Sequence, residues 1–148
     1  METSKMVMRN VYEIFEDFKK VKSKKDRIDV LRNNDNWALR NVLLGAFDKN
    51  IEFAISVPKY KVEDVPVGLS YNHMTQALDK VYLFVKNNRR TPPALTEKRK
   101  IELLVQLLES LEPKEAEVFA NMMKKDLKVP HLTEALVNEA FEGLLSKP

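Results

Sequence analysis

Two histidines, His73 and His131, are the only imidazoles in the chain, and neither belongs to an H-x-x-x-H pair or stands beside a second good ligand. There is no cysteine, which excludes disulfides, thiolate nucleophiles and every cysteine-based zinc or iron–sulfur site. No G-x-S-x-G, G-x-G-x-x-G or Walker-type phosphate loop occurs, and three glycines could hardly supply one. The K-x-D-G pattern of covalent nucleotidyl transfer is absent too, since Lys124-Lys125-Asp126-Leu127 does not fit it. Asp126 reads as a structural carboxylate. These absences point away from an enzyme and imply neither cofactor nor metal.

What remains for chemistry is cationic. Lys and Arg number 25 against 22 Asp and Glu, a net charge of +3, but the balance is uneven along the chain. Residues 1–100 carry a net +7 and residues 101–148 a net −4. Lys19, Lys20, Lys22, Lys24, Lys25, Arg27 and Arg32 crowd one stretch, opposed by Asp26 and Asp29. Lys86, Arg89 and Arg90, then Lys98, Arg99 and Lys100, form further groups. Such clusters hold a polyanion by releasing its counterions, and they equally suit a solvated helical surface. Trp37, Tyr12, Tyr60, Tyr71 and Tyr82 are able to stack bases, although packing at a core edge is the commoner use of these side chains.

The elements that position these groups read as helices. Val7, Val11, Ile14, Phe15 and Phe18 make one stripe, with Ser4 as a plausible cap. Ser23 caps a second helix running to Leu31, and Asn34 or Asp35 a third bearing Leu39, Val42, Leu43, Ala46 and Phe47. Residues 49–69, with Pro58 and Pro66, read as a long loop with a little extended structure. Ser70 or Asn72 opens a fourth helix carrying Met74, Ala77, Leu78, Val81 and Val85. Thr96 caps a fifth through Ile101, Leu104, Val105, Leu108 and Leu111. Pro113 begins a sixth with Ala116, Phe119, Ala120, Met123 and Leu127, and Thr133 or Pro130 a seventh with Leu136, Val137, Ala140, Phe141 and Leu144. The expectation is one all-α domain of about seven helices over residues 1–148. No apolar run approaches the roughly 20 residues of a membrane span, and METSKMVMRN has no apolar signal core, so a cytoplasmic setting is expected.

Two stretches carry a likeness. VYEIFEDFKKVKSKKDRIDVLRNNDNWALRNVLLGAFD (11–48) and EVFANMMKKDLKVP (117–130) resemble the N-terminal helical DNA-binding domain of ATP-dependent DNA ligases from T-even-type bacteriophages. The chain also looks like small stand-alone proteins that such phages and cyanophages encode. The sharpest shared element is Met-Met-x-(Lys/Arg)-Asp-Leu, here Met122-Met123-Lys124-Lys125-Asp126-Leu127. The resemblance implies a helical fold that grips duplex DNA through its backbone in the host cytoplasm, with adenylation left to a separate domain. Lys125 replaces the motif arginine and loses its bidentate fork. Pro130 replaces a glycine that would let backbone N–H groups approach a phosphate.

The expected DNA contacts are Lys22, Lys24, Lys25, Arg89, Arg90, Lys124, Lys125 and Lys128, three groups converging on one cationic face. The alternative is a protein-binding adaptor or inhibitor that docks on a replication protein or a host enzyme. For that reading the loop with Tyr60, Val62, Val65 and Val67 is the expected surface.

Overall fold

Helix α1 (Val11–Lys20) starts after Asn10, whose extended backbone and N–H bond to the Glu13 carboxylate (3.0 Å) close a capping box. The structure is a computed structural model and describes residues 10–61 and 72–145. Ser4, Val7, Val62, Val65, Pro66, Val67, Ser70 and Tyr71 lie outside the described residues. Helix α2 (Lys24–Asn33) is capped by Ser23, whose hydroxyl accepts the Asp26 N–H at 3.1 Å. Helix α3 (Trp37–Phe47) is capped by Asn36 and not by Asn34 or Asp35. The physical reason is competition: Asp35 is held by a two-pronged pair with Arg40 (2.6 and 2.9 Å), and the Asn34 amide turns back to the Val30 carbonyl.

The fourth helix is shorter than its apolar stripe suggests. Helix α4 (Met74–Leu78) stops after five residues, begins after His73, and gives way to a 3₁₀ turn at Val81–Phe84. Two β-branched residues and two aromatics follow in five positions, a poor helical sequence. Val85 instead pairs antiparallel with Phe53, with Ala54 N–H bonded to Phe84 O and Lys86 N–H to Glu52 O, both 2.7 Å. Helices α5 (Glu97–Ser110), α6 (Pro113–Met123) and α7 (Glu134–Ala140) follow their local signals, with Thr96 and Thr133 accepting Arg99 and Leu136 N–H groups. Among the described residues the fold is all-α, with seven α-helices.

Helix α6 is the hub: α1, α3 and α5 all pack on it, while α2 joins α1 to α7 and α4 leans on α3. Helices α3 and α6 approach closely at Gly45, where a Cβ atom would lie 2.6 Å from Met122 Sδ. Phe18, Phe84 and Phe119 are wholly buried at the centre, with Ile14, Leu39, Leu104 and Met122. Among the described residues no helix is long and apolar enough to cross a membrane. Trp37 departs from the core-edge expectation: it is 48% exposed, because it stands roughly 200° around the helix from Leu39.

One carboxylate is built into this hub. Glu115, in the first turn of α6, is buried; its Oε1 accepts the Val11 N–H of α1 at 2.9 Å, and its Oε2 has no partner among the described residues. Burial pushes its carboxyl up to about 7; the Val11 and Tyr12 N–H groups oppose the shift, and Glu112 and Glu13 add to it. A raised carboxyl means that the folded protein binds the proton more tightly than the unfolded chain. Stability from this group is therefore full below pH 4.5 and falls as pH rises toward about 7. Glu115→Gln should flatten that interval, leaving the variant the more stable protein at pH 8 by up to about 3 kcal/mol, as urea denaturation at pH 5 and pH 8 would read.

Candidate nucleic-acid interface

The C-terminus of α6 ends in a Schellman motif. Lys125 N–H bonds to Met122 O (3.0 Å) and Asp126 N–H to Asn121 O (3.1 Å), with Lys125 in the left-handed region at φ 62°. Glycine or asparagine ordinarily takes that position, since a Cβ there costs roughly 1–2 kcal/mol. The lysine side chain has a use for the place. Its Nζ donates to the Asp48 carbonyl at 3.1 Å, at the C-terminus of α3, and lies 5.4 Å from the centre of the Phe53 ring. Burial draws its pKa below the ordinary lysine value, against the attraction of Asp48 and Glu52. Lys125 was expected on a phosphate; here its ammonium braces α6 against the negative end of α3.

The chain after α6 alternates anchors and presented groups. Leu127, Val129 and Leu132 are buried, while Lys124, Lys128, Pro130 and His131 are exposed. The Lys128 N–H bonds to Asp126 Oδ1 (3.0 Å), and Lys128 itself is left-handed at φ 58°. Leu132 N–H then closes a turn on Val129 O (3.2 Å), with Pro130 and His131 (φ 70°) at its centre, as a type II turn requires. Pro130 thus stands in a turn ahead of the Thr133 cap. It does not occupy the start of α7, so its missing N–H removes nothing from that helix terminus.

An open cleft of about 730 Å³ lies between the ends of α3 and α6. Lys49, Lys86, Lys124 and Lys125 line it, together with Asp48 and Glu52 and the apolar Phe47, Ile51, Phe53, Ile55, Val57 and Met123. The antiparallel pairing of 52–54 with 84–86 is what carries Lys86 to this face. A shallower groove continues along Lys125–Pro130 and Leu132. Lys19 lines a separate small pocket with Leu127 and Val129.

Of the expected contacts, Lys124 and Lys125 line the cleft and Lys128 the groove that continues from it, while Lys86 joins them from the stretch that precedes Arg89 and Arg90. Arg89 is exposed in the turn after Lys86, and Arg90 stacks over Tyr82 with 4.2 Å from guanidinium carbon to ring centre. Lys22, Lys24 and Lys25 are exposed at the start of α2, outside the cleft lining, and Lys24 pairs with Glu139 of α7. Helix α2 packs on α1 and α7, which sets Lys24 against Glu139. Lys49, which sequence reasoning missed, lines the cleft; the only local signal was a lone lysine after the last turn of α3. Among the described residues no group of three His, Asp or Glu side chains is placed to hold a metal ion.

The sequence model of one family, described as a family of unknown function (DUF6433), matches residues 14–129, a span that includes every residue lining the cleft. No curated protein matches the chain.

The brace at Lys125 makes two separable contributions. Lys125→Ala should lower stability by roughly 1–2 kcal/mol, losing a charge-assisted hydrogen bond while keeping the left-handed strain. Lys125→Gly should lose the same bond yet recover about 1 kcal/mol of it from the relaxed backbone. Urea denaturation of the two variants beside the parent measures the difference.

Proposed function

The chain belongs to this DUF6433 family of unknown function, and from that premise we propose a non-catalytic DNA-binding or replication-associated module of a phage, holding the sugar–phosphate backbone. One observation carries the reading: Lys49, Lys86, Lys124 and the braced Lys125 line one open cleft, with Lys128 exposed in the groove that continues from it. Lysine suits this task as a compact point charge, able to meet a phosphate without dictating its orientation. Contacts of that kind set position and supply affinity but carry no base information. The likeness of residues 11–48 and 117–130 to phage ligase DNA-binding domains supports the same reading. The host cytoplasm is where such a module would work.

A second reading, a protein-binding adaptor or inhibitor, is favoured by Trp37, whose indole is half exposed at the start of α3. Large exposed aromatics are enriched at protein interfaces. Recovery of one replication or host protein from nuclease-treated lysate, lost on Trp37→Ala, would support it; loss on nuclease treatment alone would return the case to DNA.

Engagement of about four to five phosphates gives a log–log salt dependence of slope near −4. The double variant Lys86→Glu with Lys124→Glu should reduce that slope by about 2 and weaken binding more than tenfold. Lys24→Glu, away from the cleft, should leave both unchanged. Fluorescence anisotropy over a salt series decides it, and micromolar protein that leaves DNA free at about 50 mM salt removes the proposal.

A further inference from the structure

Resting on the DNA reading of this cleft, we infer that its occupant is an unstacked nucleotide at a single-stranded DNA end, with a base against Phe53, Ile55 and Val57 and its flanking phosphates on Lys49, Lys86 and Lys124. A volume of about 730 Å³ falls within the range of pockets that enclose small organic ligands. Duplex DNA is a convex rod with its base faces sealed in the stack, so it offers such a concavity only phosphates at the rim. A strand end offers both halves at once. Its phosphates answer the lysines, and its base face answers an apolar flank that solvent alone would leave wet.

The flank is positioned rather than loose. Phe53 is fixed by its antiparallel pairing with Val85, and the Lys125 ammonium lies over its ring. The backbone bends at Ala54 and Ile55, and Ile55 and Val57 line the same cleft as Phe53. All three are only partly buried, although they pack against the core edge. The cations lie on separate supports: Lys49 after α3, Lys86 at the end of the paired segment and Lys124 at the end of α6. A fixed apolar flank between separately held cations loses little freedom when a strand binds. Lysines contribute no bidentate base recognition, so the site is tolerant of sequence.

The test is anisotropy at about 50 mM salt with three probes: a 12-nucleotide single strand, the blunt duplex of the same sequence, and that duplex with a single-stranded tail. Single-stranded and tailed probes should bind about tenfold more tightly than the blunt duplex. Phe53→Leu should weaken them about fivefold and leave the blunt duplex unchanged, with circular dichroism confirming the fold. Ser56→Glu, an exposed change on the cleft lining that leaves the core untouched, should weaken the same two probes if Phe53→Leu does not fold. A blunt duplex bound as tightly as the single strand, and still sensitive to Lys86→Glu with Lys124→Glu, overturns this inference and leaves the DNA reading standing. No binding of any probe overturns both. Displacement of the strand by polyglutamate as readily as by unlabelled strand reduces the cleft to a charge site and overturns the inference.

Discussion

The last carbonyls of a helix point out of it unpaired, and about a third to a half of helices close them with a left-handed residue, usually glycine. This chain has glycine at only three of 148 positions. Cationic side chains take over the task. Arg32 donates from Nε to Ala140 O (3.1 Å) and from Nη2 to Glu139 O (2.7 Å), closing α7 while fastening it to α2. Lys125 does the same for α3 from the end of α6. Arg40, paired with Asp35, lies 5.0 Å from the Phe141 ring centre and links α3 to the end of α7. The positive charge that suggests a polyanion partner is therefore partly structural.

Helix α6 applies this logic at both ends. Its first turn offers the Glu115 carboxyl to the N-terminus of α1, and the residue following its last turn offers an ammonium to the C-terminus of α3. Both signs match the helix dipoles they meet, although burial brings the Glu115 carboxyl to about 7 and so weakens the first at neutral pH. The hub thus fixes the directions of its neighbours by polar contacts at their ends, while apolar packing along their lengths supplies the bulk of the stability. The cleft is a product of the second brace. Lys125 holds the end of α3 beside the turn after α6, and the space left over is walled by 51–57.

What was local was legible. The apolar stripes, the caps at Ser23, Thr96 and Thr133, and the first-turn Pro113 all lie within a few residues of the structure they specify. What depended on partners was not. Asn36 displaces Asp35 as a cap because Arg40 claims the carboxylate. Val85 leaves its helix because Phe53, 32 positions earlier, pairs with it. Residue type gives no sign that Lys125, Lys128 and His131 adopt positive φ, since each is placed there by surrounding bonds. The basic stretch at 19–32 was readable as charge, but not as charge whose Lys24 and Arg32 are engaged by α7.

Counting lysines in a sequence thus overstates the free positive charge, because some of the cations serve the fold. Of the cations near the cleft, Lys125 serves the fold, whereas Lys49, Lys86 and Lys124 carry no ion pair among the described residues. Glu52, exposed on the same lining, opposes them. An isolated anion placed among these groups meets attraction and repulsion together, at distances within one screening length at physiological salt. A chain of phosphates can meet the ammoniums one by one and pass the carboxylate between them. On the proposed reading, the arrangement accordingly favours an extended polyanion over a compact one. The apolar wall then decides which polyanion gains most, because only one with an uncovered apolar face removes that wall from water.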